Sequence, residues 1–150
     1  MRDQASVERA FTGKKLLVTG SSGFLASGLI TRLKEINCQI RCVTRSTTAP
    51  ASMQGGRATF EHLAGDIRER SFWKMILPEV DFVFHFAAQT SVYAADQTPA
   101  EDWEANVLPM LGLLETCREH DWRPGIFFAG SVTQCGLPAT LPVNETHPDR

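Results

Sequence analysis

Apolar positions recur along this chain in two alternating rhythms. Leu16, Leu17 and Val18 form a short continuous run, long enough for a strand buried on both faces. Gly20 and Gly23 then interrupt the chain, and a helical pattern begins, with Phe24, Leu25, Leu29, Ile30, Leu33 and Ile36 at helix spacing. A strand, a glycine turn and a helix are predicted. A second strand is predicted over residues 39–44, with Ile40, Cys42 and Val43, followed by a loop of small turn-forming residues over 45–56. A third strand follows over 59–63 and ends at Gly65-Asp66-Ile67. A short helix over 68–77 is closed by Pro78, and residues 80–86 form a strongly β-prone fourth strand. Residues 89–100, with Pro99, read as a loop. Residues 101–120 carry Trp103, Val107, Met110, Leu111, Leu113, Leu114 and Cys117, which predicts one long helix kinked in its first half by Pro109. A fifth strand over 125–129 precedes a Pro-rich, irregular tail from Gly136.

Strands alternating with helices predict a parallel sheet covered on both faces. Right-handed crossovers then make it a doubly wound α/β sheet of about five strands. Ligands of such sheets bind beyond the carboxyl ends of the strands, where strand order reverses. Five segments fall at those ends: residues 20–26, Arg45, Asp66 with Ile67, residues 86–89, and Gly130 with Ser131. The first of them has a definite chemistry. Free N–H groups at a helix start, aided by the helix dipole, favour a phosphate. Gly20 permits the tight turn, and Gly23 lets the backbone approach a pyrophosphate without an intervening Cβ.

At 150 residues the chain is sized for one domain, read as a polar, flexible leader over residues 1–13 and a folded domain over 14–150. A 43% hydrophobic and 21% charged composition is that of a soluble globular protein. The net charge of −2 gives no field to attract nucleic acid or an anionic membrane, and no apolar run approaches the roughly 20 residues of a span. The first residues contain no apolar signal-peptide core. Cys38, Cys42, Cys117 and Cys135 lack paired metal spacing and read as thiols of a reducing cytoplasm. His62, His85, His120 and His147 show no metal pairing either, so no metal is expected, and His85 reads as a satisfied core residue. Trp73, Trp103 and Trp122 read as packing, because no basic stripe accompanies them.

Several segments carry a family resemblance. Thr19-Gly20-Ser21-Ser22-Gly23-Phe24-Leu25-Ala26 resembles the TGxxGFxG fingerprint of the extended short-chain dehydrogenases/reductases, the NAD-dependent epimerase/dehydratase family, which includes many nucleotide-sugar enzymes. Gly65-Asp66-Ile67-Arg68 resembles its adenine-binding element, and the stretch from Asp81 through His85 to Gln89 is similar to its strand beside the cofactor. Asn106 falls where the family places a helix asparagine. The segment from Phe127 through Ser131 to Gly136 resembles its serine-bearing loop, and Leu141-Pro142-Val143-Asn144-Glu145 the segment that follows. The elements come in family order from Lys14 onward.

The resemblance implies a Rossmann-type sheet, incomplete relative to the family, that binds NADP or NAD. Gly20, Ser22, Gly23, Phe24 and Leu25 would hold the pyrophosphate, and Arg45 the adenosine ribose or its phosphate. Asp66 and Ile67 would flank the adenine, and Phe86, Ala87 and Ala88 the nicotinamide ribose. Asn106 would complete the cofactor site by supporting the kinked helix. Ser131, or Thr133 in its place, would hydrogen-bond the substrate oxygen. Ala26 replaces the third glycine of the fingerprint and is small enough to serve. Cys135 stands where the family carries a tyrosine, a position read as packing. Arg45 stands where NAD-binding members carry an aspartate. A carboxylate repels a 2′-phosphate and arginine accepts one, so NADP is favoured, with Arg41 or Arg68 as alternatives.

The activity implied is hydride transfer on a nucleotide sugar or related hydroxyl compound in the cytoplasm. No Asp-Glu pair follows Ser131, so epimerase or ketoreductase chemistry is favoured over dehydration. The family's catalytic Tyr-x-x-x-Lys has no counterpart: Tyr93 is the one tyrosine, and Gln97 stands four positions on. The chain alone is therefore expected to be the cofactor-binding portion and inactive. The alternative is a non-catalytic dinucleotide-binding module for redox sensing or partner binding. The resemblance also implies a homodimer, pairing the helix over 101–120 with the Tyr-x-x-x-Lys helix.

Overall fold

The computed structural model describes residues 4–138 and 140–147. Five strands form one parallel sheet: β1 (Lys15–Thr19), β2 (Gln39–Thr44), β3 (Thr59–Ala64), β4 (Phe82–His85) and β5 (Gly125–Phe128), in the order β3-β2-β1-β4-β5. The strand order reverses between β1 and β4, and this Rossmann-type switch point fixes where a ligand can sit. The helices are α1 (Gln4–Phe11), α2 (Phe24–Leu33), α3 (Arg70–Ile76), α4 (Val92–Gln97), α5 (Pro99–Asn106) and α6 (Leu108–His120). No helix among the described residues is long and apolar enough to cross a membrane.

Side-chain alternation along the strands divides the interior into two cores. Leu16, Val18, Ile40, Cys42 and Phe84 face one side and pack on Ala26, Ile30 and Leu33 of α2. Leu17, Val43 and Val83 face the other and meet Trp73 and Ile76 of α3 with Leu113 and Cys117 of α6. The fully buried Trp73 indole donates to the Ile67 carbonyl at 2.7 Å, anchoring the turn after β3. The four cysteines are free thiols, with Cys38, Cys42 and Cys117 buried as their sequence context implied. Burial pushes the Cys42 thiol up to about 12.

Three segments depart from the sequence reading. Residues 4–11, expected within a loose leader, form α1. Its Phe11 ring packs edge-on against Phe82, with centroids 5.2 Å apart, and tilts onto Phe84 at 5.8 Å. Val7 and Phe11 stand four apart on this helix, a helical spacing too short to stand out within a polar leader, and Glu8 pairs with Arg57 at 2.7 Å. The loop expected over 89–100 contains α4, capped by Ser91 Oγ, which accepts from Ala94 N at 3.2 Å, and Pro99 opens α5. No residue of α4 is buried, so its helicity left no apolar signature. The single helix expected over 101–120 is two, α5 and α6, meeting at Val107. Pro109 lacks an N–H and crowds the carbonyl four residues earlier, so the first helix stops instead of bending.

Candidate functional site

The turn between β1 and α2 sets the site. Gly20 adopts φ +63°, and a Cβ there would stand 2.8 Å from both N and Cα of Ala87. Gly23 N donates to Gly20 O at 2.8 Å, closing the turn. Ser21 is fully buried and bonds the Val43 carbonyl through its N–H at 3.1 Å and its Oγ at 3.2 Å, which pins the turn to β2. Gly23 is the N-cap of α2 and has no side chain to cap it. The amides of Phe24, Leu25 and Ala26 thus open the helix with no intrahelical acceptor.

This turn forms one wall of a cleft of about 480 Å³ at the carboxyl ends of four strands. Gly20, Ser22 and Gly23 follow β1, and Val43, Thr44 and Arg45 come from the end of β2. Residues 65–68 follow β3, residues 86–89 follow β4, and Glu101 with Ala105 close it from α5. Four of the five ends expected to converge do so. The fifth does not line the cleft: Ser131 is exposed after β5, with its Oγ 2.7 Å from Thr133 Oγ1 and accepting from Thr133 N at 3.2 Å. It caps a short 3-10 turn, Val132–Cys135.

Charge concentrates at the β2–β3 end. Arg68 grips Asp66 with its Nε at 2.9 Å and Nη2 at 2.6 Å, and its backbone N donates to Oδ1 at 2.9 Å. The hydrogen-bonded Arg68 side chain holds the Asp66 carboxyl below its ordinary range, and Arg45 adds to the same field. Asp66 is thereby largely spent on its own turn. Arg41, an alternative cation in the sequence reading, is spent elsewhere: it donates to the Ile76 and Pro78 carbonyls at 2.9 and 2.8 Å and pairs with Glu61 at 2.7 Å. It cannot reach the cleft while so bound.

The sequence profile described as the NAD dependent epimerase/dehydratase family matches residues 16–150. The chain belongs to that family. It is 31% identical over 142 residues to a UDP-glucose 4-epimerase of Streptococcus mutans, covering 90% of this chain and 41% of that relative. Its fold superposes on the UDP-glucose 4-epimerase of Bifidobacterium longum, solved with NAD+ and UDP, with a TM-score of 0.78 and 26% identity, over 91% of this chain and 43% of that one. The Thermus thermophilus UDP-glucose 4-epimerase, solved with NAD, matches with a TM-score of 0.71 and 27% identity, over 91% and 44%. This epimerase/dehydratase-family chain thus spans about two fifths of the length of the relatives it matches.

Among the described residues of this family member, several expected site positions stand beside the cleft and do not line it. The side chains of Phe24 and Leu25, 93% and 61% exposed, lie outside the cleft lining, and what these residues offer it is main-chain N–H. Asn106, expected in the cofactor site, is engaged by its own protein: Gln89 N donates to its Oδ1 at 2.8 Å, and its Nδ2 donates to Gln89 O and Asp102 Oδ1, both at 3.0 Å. It holds the wall and does not line it. Thr44, Glu101 and Ala105 line the cleft without having been singled out. Glu101 and Ala105 share a helix face by their spacing of four, the one signal that could have found them.

Proposed function

We propose that this chain is the dinucleotide-binding portion of an epimerase-type oxidoreductase acting on a nucleotide sugar. The observation that carries the proposal is the uncapped start of α2 opening onto a cleft shared by the ends of β1, β2, β3 and β4. Residues and cofactor fit: three free amides meet a pyrophosphate, and Gly20 keeps the turn clear for close backbone approach. Asp66 and Ile67 line the adenine end, and residues 86–88 the nicotinamide end beside α5.

A bound nicotinamide supplies a reversible hydride acceptor. The chain's own contribution is to bind, orient and shield. The α2 amides fix the phosphates, the turn over residues 65–68 positions the adenine, and residues 86–89 wall the ring end from water. Ser131 stands beyond β5 at the same end of the sheet, since Ala129 N bonds His85 O. The reading gives it a hydrogen bond to the substrate oxygen, made when its Oγ leaves Thr133. UDP-sugar chemistry is supported by relatives called UDP-glucose 4-epimerases.

NADP use is the finer part of the proposal. At the adenosine end Arg68 is shared between Asp66 and, at 3.9 Å, Glu104, so Arg45 is the guanidinium offered to a ribose phosphate. The binding test is a titration of the 15N-labelled chain with NADPH followed by amide NMR. The proposal expects the largest shifts at Phe24, Leu25, Ala26, Ile67 and Ala88. Shifts confined to residues outside the cleft would refute it.

A further inference from the structure

Thr19, at the end of β1, is fully buried, and its hydroxyl makes three contacts. Phe86 N and Ala87 N both donate to Oγ1 at 3.2 Å, and His85 Nδ1 lies 3.1 Å away. A hydroxyl has two acceptor lone pairs and one proton. The two amides occupy the lone pairs, so the proton goes to His85. Nδ1 must then be bare, and the ring proton must sit on Nε2. The ring is nearly fully buried between two aromatic neighbours, stacked on Phe128 with centroids 6.1 Å apart and tilted against Trp73 at 6.0 Å. Burial also holds its pKa down at about 4, so the neutral form required by this bond pattern is the stable one at neutral pH.

We propose that Thr19 and His85 are positioning residues for the dinucleotide cleft: one hydroxyl, oriented by the His85 ring, fixes the gap between the glycine turn and the wall over residues 86–89. The gap has no slack, because a Cβ at Gly20 would already overlap Ala87 N and Cα. Turning the hydroxyl would release one amide and let the wall move against the turn. The inference rests on the dinucleotide reading above, but its hydrogen-bond half stands by itself.

Three variants test it. Thr19→Val removes the acceptor, Thr19→Ser keeps it, and His85→Phe keeps the aromatic packing while removing the bond that orients the hydroxyl. Thr19→Val and His85→Phe are expected to weaken NADPH binding by about tenfold or more, and Thr19→Ser by about threefold at most, as loss of one or two neutral hydrogen bonds implies. Nitrogen NMR of the unmodified chain is expected to show a protonated Nε2 and a bare Nδ1 on His85, with slow exchange of the Phe86 and Ala87 amides. Equal affinities for Thr19→Val and Thr19→Ser, both folded, would overturn the proposal, as would a proton on Nδ1. If Thr19→Val does not fold, His85→Phe decides by the same affinity, and wild-type binding there also overturns it. If the unmodified chain binds neither NADPH nor NADH, the dinucleotide reading fails, while the tautomer and amide exchange still decide the hydrogen-bond arrangement.

Discussion

Asn106 closes a two-bond bridge onto the main chain of Gln89, accepting from its N–H at 2.8 Å and donating to its carbonyl at 3.0 Å. Asp102 Oδ1 completes the unit, receiving Asn106 Nδ2 and Gln89 Nε2, each at 3.0 Å. The last residue of α5 thereby stands in for a neighbouring strand and stops the chain after β4 from drifting. Asn106→Ala removes every bond of the bridge at once. It is expected to lower stability by about 1–3 kcal/mol, the range for unsatisfied buried groups, read as a lower urea midpoint. Asn106→Asp should be no milder, since it loses the donor and sets a second carboxylate against Asp102. Wild-type midpoints in both would contradict this role.

Gly20→Ala is expected to be worse than Gly23→Ala. At Gly20 the added Cβ meets a positive φ and the main chain of Ala87 at 2.8 Å, whereas at Gly23 φ is −74° and the nearest atom is Gly20 O at 3.1 Å. The left-handed backbone alone costs a non-glycine residue about 1–2 kcal/mol. Thermal unfolding of the two variants should show the larger loss at Gly20, and the reverse order would refute this account of the turn.

Arg45→Asp should exchange cofactor preference. Removing the cation and adding a carboxylate opposes a ribose phosphate and offers acceptors to ribose hydroxyls. Affinity for NADPH is expected to fall by about tenfold or more while that for NADH is kept or improved, one charge-assisted contact being worth that much. Parallel fluorescence titrations measure both. An unchanged ratio of the two affinities would remove Arg45 from the specificity argument.

Stability should fall as the solution is acidified, in two stages. Burial lowers the folded-state pKa of His85 from 6.5 to about 4, so between those values the unfolded chain binds the extra proton. The resulting loss is on the order of 3 kcal/mol and is complete below about pH 4. Asp81 and Asp66 act lower on the scale. The Lys15 backbone N–H, aided by Lys14, lowers the Asp81 carboxyl, and Arg68 lowers that of Asp66. Their contribution is present above the ordinary carboxylate value of 3.8 and disappears as the pH falls below it. Urea midpoints from pH 7.5 to 4 should decline, and a flat profile would contradict the placement of His85.

The sheet was most legible at β1 and β4, whose continuous apolar runs are those of parallel strands buried on both faces, whereas β2 and β3 mix polar residues into the pattern. The convergence of β1, β2, β3 and β4 on one cleft followed from chain order alone. What escaped detection depends on single contacts. The Phe11 ring and the Glu8–Arg57 ion pair tie α1 down, and the Ser91 side chain caps α4. The split at Val107 turns on whether a proline bends a helix or ends it, which neighbours decide.

Within the site, residue types were easier to read than their tasks. Phe24 and Leu25 were recognisable by position at the helix start, and their side chains are exposed while their main chain opens α2. Asn106 marked the right place, yet its partner is a main-chain segment 17 residues away. The Thr19 hydroxyl bonds amides 67 and 68 residues distant, a relation no local pattern encodes.

Calorimetric titration of the folded chain with NADPH and with NADH decides whether the cleft at the ends of β1, β2, β3 and β4 takes a dinucleotide. One saturable site per chain is predicted, tighter for NADPH, with binding abolished or strongly weakened in Gly20→Ala. A folded chain that releases or absorbs no binding heat with either dinucleotide, at several temperatures, would contradict the account.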